Sequence, residues 1–315
     1  RSFLCRNSTV HQLALVILEK YLSYFNFLDT ITHYLFMLLL EKIGMKRIGL
    51  LGCGSIGSQI AIAIDTGKIP AQLTHIYDVD KKKSELLVSK LQQKPEIVEN
   101  AHLLSSNPLD LVVEAASQEA VNDNALSILQ NRKDLLIMSS GALLDESVFE
   151  IISDACKEFK KTVYLPSGAI SGIDALKSVK NELDSVVLIT TKHPDSLRGA
   201  PFFEQFKQNL DEIKEPSTIF EGTASEAVRL FPKNVNVSAL LSLVGLGSHE
   251  TIVKIIVDPS TTKNTHVITS SGKFGKLTTT IENVPDENNP RTSRLAILSA
   301  IETIRSICTD EIKIG

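Results

Sequence analysis

The chain has 315 residues, 43 % of them apolar and 22 % charged, with a formal net charge of −4. That length supports one large domain or two ordinary ones with real cores, and the balance lacks the basic stripe of a nucleic-acid binder. The four cysteines, Cys5, Cys53, Cys156 and Cys308, form neither a CxxC pair nor a Cys/His cluster, which argues against a metal site or a disulfide framework and for a reducing, cytoplasmic setting.

Residues 1–44 differ in composition from the rest. They hold seven of the chain's aromatic residues, among them Tyr21, Tyr24, Phe25 and Phe27. Their longest apolar run, 34–40, is closed by Glu41-Lys42, too short for a membrane span and without the cleavage site of a signal peptide. The segment reads as an upstream extension outside the native protein, with Met45 expected as the natural start.

From Lys46 apolar runs alternate with helical stretches. Strands are expected at 46–52, 73–79, 110–115, 134–139 and 162–165. Helices are expected at 56–64, from Asp80, at 117–130 and at 145–160. Such βαβα alternation predicts a parallel sheet covered on both faces by helices. After Pro166 the rhythm changes. A short helix at 173–180 precedes strands at 186–191 and 218–221, and helices follow at 223–230 and 236–244. The stretches 251–257, 266–269 and 276–282 alternate apolar with polar residues, the mark of an antiparallel sheet with one packed face. Residues 292–308 read as a closing amphipathic helix. The expected fold is therefore α/β: an N-terminal Rossmann doubly wound parallel sheet, then a second α/β (α+β) domain with a mainly antiparallel sheet.

Gly52, Gly54 and Gly57 form G-x-G-x-x-G directly after the first strand and at the mouth of the first helix. Asp78 ends the next strand, 21 residues after Gly57. This context is that of a dinucleotide site. Gly52 permits the tight turn, Gly54 lets the backbone approach a pyrophosphate, and Gly57 lets helix and strand pack closely. Ser55 and Ile56 belong to the same turn, whose amides and helix dipole suit an anion. Asp78 would accept hydrogen bonds from the adenosine ribose and favours NAD. Lys81-Lys82-Lys83 follow it and leave NADP open. Two small polar loops, Ala115-Ala116-Ser117-Gln118 and Ser139-Ser140-Gly141-Ala142, follow strands where a ligand of an open α/β sheet lies. They are candidates for passage of the nicotinamide ribose. Of the seven histidines, His193 and His266 lie in polar stretches of the second half, and His266 begins a strand from which it could reach a cleft. Lys233, just before the helix at 236–244, and Arg291 are candidate partners for substrate carboxylates. Ser225, Asn234 and Thr292 are neutral donors that could complete a site or cap helices.

The segments GCGSIG, VVEAASQEAV, SSGAL, SGAISGIDAL, TTK, FEGTASEAVRLFPKNVNVSALLSL, NTHVI with GKFG, and NPRTS occur in this order. On them the chain from Met45 onward resembles the NAD(P)-dependent L-aspartate dehydrogenase family. The resemblance implies that His266 is the active-site histidine and that Ala169 and Asn236 contact the nicotinamide cofactor, NAD or NADP. It also implies a homodimer acting on a small molecule, with no nucleic-acid or membrane partner. The implied division is a Rossmann domain at 45–168, completed by a C-terminal helix within 290–315, and a catalytic and dimerisation domain at 169–289. The implied product, iminoaspartate, hydrolyses to oxaloacetate and ammonia or feeds quinolinate and NAD synthesis. The chain departs from the family at Lys192-His193-Pro194, where a second basic residue is more usual than histidine, and substrate contacts through Asp211 stay open. Two alternatives remain: a related reductase of another aspartate-derived metabolite, or a dinucleotide sensor without turnover. The presence of His266, Asn236 and Lys233 argues against the sensor.

Overall fold

The computed structural model describes residues 44–232, 236–287, 289 and 292–312. Residues 1–43, Lys233, Asn234 and Arg291 lie outside this set, and so do the readings that concern them. Residues Lys46–Gly315 pack as one unit.

Six strands form the first sheet: β1 (Lys46–Leu51), β2 (Ala71–Tyr77), β3 (Glu96–Ile97), β4 (Leu111–Glu114), β5 (Asp134–Ile137) and β6 (Val163–Tyr164). All pair in parallel, in the order β3-β2-β1-β4-β5-β6. The order reverses between β1 and β4, and this is the crevice in which such sheets hold a ligand. The helices α1 (Ser55–Asp65), α2 (Lys81–Lys90), α3 (Ala101–Ser106), α4 (Gln118–Gln130) and α5 (Glu146–Phe159) connect the strands. Strand alternation divides the core between the two faces. Ile48, Leu50, Leu111, Val113 and Leu136 pack with Ile60 and Ile64 of α1. Leu51, Val112, Leu135 and Ile137 pack on the other side with Ile128 and Leu129 of α4. Burial on both faces is why these strands read as unbroken apolar runs.

The rest of the chain carries α6 (Ile173–Ser178), β7 (Leu183–Lys192), α7 (Pro201–Gln205), β8 (Ser217–Thr223), α8 (Ala224–Leu230), α9 (Asn236–Val244), β9 (Thr251–Val257), β10 (Asn264–Gly272), β11 (Gly275–Asn283) and α10 (Arg294–Cys308). Its strands form a second sheet in the order β11-β10-β7-β9-β8, antiparallel except for β7 beside β9. One face buries Val186, Leu188, Val253, Ile255 and Ile268 against Phe202, Phe220, Phe231 and Leu241. The other face carries Val187, Ile189, Ile252, Ile256 and Val267, each partly exposed. The Lys254–Glu221 ion pair (2.8 Å) and the Lys263–Glu282 pair border it. Helix α10 returns to the first sheet: Ala300 and Ile304 join the cluster of Ile48 and Ile60. No described helix is long and apolar enough to cross a membrane.

The structure adds elements that the sequence reading lacks. β3 and α3 occupy a stretch read without structure. Ser140–Leu144, read as a loop, is a turn of 3-10 helix. β7 begins three residues earlier and ends one later than expected, and that last residue is Lys192.

Candidate active site

The glycine turn comes first, because β1 delivers it to the crevice. Gly52 adopts φ +102°, and a side chain there would meet the Ala115 carbonyl oxygen at 2.6 Å. A Cβ on Gly57 would lie 2.0 Å from the Gly52 oxygen, so only glycine lets α1 start this close to the strand. Gly54 differs: a Cβ there would meet nothing within 4 Å. Its neighbourhood is open, and no side chain caps α1, so the turn fits the diphosphate of a dinucleotide. Asp78 braces the turn. It accepts from the Cys53 amide (2.8 Å) and the Asp80 amide (2.9 Å) and keeps lone pairs for a ribose hydroxyl. The Ser55 hydroxyl is engaged elsewhere, donating to Asp286 Oδ1 at 2.7 Å. That bond ties the turn to the loop ahead of α10.

The two loops after β4 and β5 are held together by Glu114, which is 1 % exposed. One carboxylate oxygen accepts from the Ala116 amide (2.7 Å) and the Ser139 hydroxyl (2.8 Å). The other accepts from the amides of Met138 (3.1 Å) and Ser139 (3.0 Å). Burial raises its proton affinity and these four bonds oppose the rise. Asn236, the first residue of α9, joins the β5 loop to the second half of the chain. Its Nδ2 donates to the Met138 carbonyl (3.1 Å), its Oδ1 accepts from the Gly141 amide (3.3 Å), and its carbonyl accepts from Ser140 Oγ (3.1 Å). Gln118 donates to the Pro232 carbonyl (3.0 Å).

Between these loops and the second sheet lies a cleft of about 130 Å³. Ile56 and Ser140 line it from the dinucleotide side. Ser167, Gly168 and Ala169 form a further wall, with the Ala169 carbonyl held by Asn283 Nδ2 at 2.9 Å. Asn236, Thr292, Lys192 and His266 complete it. His266 and Thr190 are partners in the β10–β7 ladder, and His266 Nδ1 lies 3.0 Å from Thr190 Oγ1. In the tautomer that donates from Nδ1, the Nε2 lone pair is left for a ligand. His266 is 2 % exposed. Burial first, and the Lys192 charge second, push its pKa down to about 3. With its proton affinity this low the imidazole is uncharged at neutral pH. Lys192, two residues beyond Thr190 on the same strand face, is 5 % exposed, and burial lowers its pKa to about 8.

The structure thus brings Ile56, Ser140, Ala169, Asn236, His266 and Thr292 to one cleft. Gly52, Gly54 and Gly57 belong to the adjoining turn, and Ala115 and Ala116 to the loop after β4. Two candidates fall elsewhere. Ala142 is buried in the core beside Leu143 and offers no surface to a ligand. Ser225 is not among the cleft residues; its amide donates to the Ser248 carbonyl at 3.0 Å. Lys233, Asn234 and Arg291 lie outside the described residues. Sequence reasoning passed over Glu114 and Asn283, and it reached Lys192 only as part of a segment whose substrate contacts stay open. Glu114 was signalled by an acid inside an apolar strand, and Lys192 by a cation on the inward parity of Val186, Leu188 and Thr190. Asn283 carries no such signal, because its register becomes clear only when β11 pairs.

An L-aspartate dehydrogenase of Nitrosopumilus maritimus is 66 % identical to this chain over 271 residues, covering 86 % of the chain and all of that protein. The chain belongs to the L-aspartate dehydrogenase family. A relative of the same description from Methanocella arvoryzae is 45 % identical, again over 86 % of this chain and all of its own length. The family model described as aspartate dehydrogenase, C-terminal, matches residues 174–307. The model described as homoserine dehydrogenase, NAD binding domain, matches residues 52–166, the part that holds the glycine turn. Among solved structures, aspartate dehydrogenase of Thermotoga maritima superposes with a TM-score of 0.67 at 28 % identity, over 85 % of this chain and 99 % of that one. A scyllo-inositol dehydrogenase of Lactobacillus casei, solved with NAD(H), shares the fold at a TM-score of 0.52 and 14 % identity. In an L-aspartate dehydrogenase family member, the cleft shared by the glycine turn and His266 is the candidate active site.

Proposed function

We propose that this protein oxidises L-aspartate to iminoaspartate with NAD or NADP, and catalyses the reverse reductive amination. The observation that carries the reading is a buried, hydrogen-bonded His266 in the same cleft as Ile56 of the dinucleotide turn, in a chain of this family. A nicotinamide held beside this cleft would supply the hydride acceptor for the Cα hydrogen of the substrate. The substrate ammonium gives up one proton, and with loss of the Cα hydride the Cα–N bond becomes that of a protonated imine. His266 is suited to receive that proton at Nε2, and the negative charge of a bound dicarboxylate raises its proton affinity. Thr190 holds the ring at Nδ1, and with Nδ1 donating, the Nε2 lone pair is the one left for the substrate. Glu114 and Asn236 hold the loops along which the nicotinamide ribose would run, with Ser140 and the Ala169 wall beside it. Asp78 favours NAD through the ribose hydroxyls.

The imine hydrolyses to oxaloacetate and ammonia or supplies quinolinate and NAD synthesis. Residues 45–168 with α10 serve the cofactor, and 169–289 serve catalysis and dimerisation. The partly exposed apolar face of the second sheet suits pairing with a second copy. The free thiols of Cys53, Cys156 and Cys308 suit a reducing cytoplasm. The direct test is NAD(P)H absorbance with purified protein across L-aspartate, L-alanine, L-homoserine, and oxaloacetate plus ammonia. Turnover of aspartate and of oxaloacetate with ammonia is expected. Turnover of homoserine with none of aspartate would overturn the reading.

A further inference from the structure

Lys192 stands out among the buried charges. It ends β7 and lies on the inward face of the second sheet with Thr190. It lines the cleft beside His266 and, behind it, a chamber of about 10 Å³ shared with Thr190, Leu197, Ser238 and Val253. No carboxylate pairs with it among the described residues. In the β7–β9 ladder its partner is Val257, and the residue that follows, Asp258, turns away. The Asp258 amide donates to the Lys192 carbonyl at 3.0 Å, while its carboxylate binds the Ser260 amide and hydroxyl at 2.8 and 2.6 Å. On the neighbouring strand β10 the titratable group facing Lys192 is His266, which cannot neutralise a cation. The other chamber groups are hydroxyls and hydrocarbon. An ammonium held in such a place without a counter-ion is costly, and the cost is relieved when an anion enters the cleft.

We infer that Lys192 is the substrate-anchoring cation of this site: its ammonium receives one carboxylate of the dicarboxylate substrate and so sets that substrate beside His266. The inference rests on the L-aspartate reading for the identity of the substrate. A carboxylate brought to Lys192 also explains why no protein acid sits there, since an internal partner would compete with the ligand. It gives the site a preference for a ligand that brings its own negative charge. Above about pH 8, where burial leaves the amine uncharged, binding restores its proton, so entry of a dicarboxylate there draws a proton from solvent.

The test uses the full chain with Lys192→Met, which keeps the apolar stem and removes the charge. For L-aspartate, KM is expected to rise about 10- to 100-fold, the range for one hydrogen bond to a charged group. The change in kcat should be smaller, and NAD(P)H affinity by fluorescence titration should stay as in the parent, which also reports an intact fold. Succinate, an unreactive dicarboxylate, is the binding probe. Calorimetry of succinate binding to the NAD(P)H-loaded protein, in two buffers of different ionisation enthalpy, should show proton uptake above neutral pH in the parent and none in Lys192→Met. Unchanged KM and succinate affinity in the variant would overturn the assignment. So would a loss confined to kcat, which would make Lys192 a proton carrier instead. The two readings fail separately. A parent protein silent toward L-aspartate but binding succinate through Lys192 keeps the anchor and rejects the activity. Normal aspartate turnover with KM unaffected by the substitution does the reverse.

Discussion

Thr190 Oγ1 lies 3.0 Å from His266 Nδ1, across paired positions of β7 and β10. Both side chains are buried, so the hydroxyl is the polar group that decides which imidazole nitrogen faces the cleft. Thr190→Val keeps the shape and removes the hydrogen bond. We expect kcat to fall about tenfold, the worth of one such bond, with NAD(P)H affinity unchanged and recovery in Thr190→Ser. His266→Ala should cost about two orders of magnitude or more in kcat. Normal turnover by the alanine variant would remove His266 from the chemistry.

Gly54 and Gly57 should fail in different ways. Space in front of Gly54 is open, so Gly54→Val should fold with a normal melting temperature yet lose NAD(P)H binding. Gly57→Ala drives a methyl into the Gly52 carbonyl, backbone that cannot yield. It should lose upwards of about 2 kcal/mol of stability, read by urea denaturation.

Glu114→Gln tests the brace between the loops. The amide keeps one acceptor but turns its NH2 toward groups that are themselves donors. A loss of about 1–3 kcal/mol is expected from the unsatisfied amides, together with weaker NAD(P)H binding. Full cofactor affinity in a destabilised variant would leave Glu114 with a purely structural role.

Stability should depend on pH through both buried bases. The His266 pKa is depressed to about 3, so below about 6.5 the unfolded chain takes a proton there that the folded chain refuses. Stability is therefore lost progressively as pH falls from about 6.5 toward 3, and His266→Asn should flatten that part of the curve. Lys192, lowered to about 8, acts in the same sense in a higher window. Its contribution falls as pH drops from about 10.5 to 8, and Lys192→Met should be more stable than the parent at pH 7. Denaturation midpoints at pH 5, 7 and 9 check each sign.

The apolar face of the second sheet gives a prediction about assembly. Val267→Asp, opposite Ile189 in the β10–β7 ladder and on the face shared with Val187 and Ile252, should convert a dimer to a monomer in analytical ultracentrifugation. A parent protein that sediments as a monomer would show that this face has another use.

Much of the fold was legible because its signals are local. Residues 251–257 are rich in Val and Ile, as strands are, and β9 has the expected bounds. The apolar runs of β1, β4 and β5 follow from burial on two faces, and the G-x-G-x-x-G spacing carries its own steric reason at Gly52 and Gly57. Short elements escaped. β3 has two residues and exists because β2 offers it an edge. α3 has one readable mark, the Asn100 side chain that caps the Leu103 amide.

By itself the chain determined its two-part α/β plan, the dinucleotide turn and a short set of candidate residues, because periodicity and glycine sterics act over a few neighbouring positions. Tertiary structure decided which candidates share a cleft. It joined Thr190 to His266 over 76 positions of sequence, turned Ala142 into the core, and buried Lys192 with no carboxylate partner among the described residues. Proton affinities followed from that burial, since the desolvation that moves them comes from distant segments packing around the group, and no local pattern of residues encodes it.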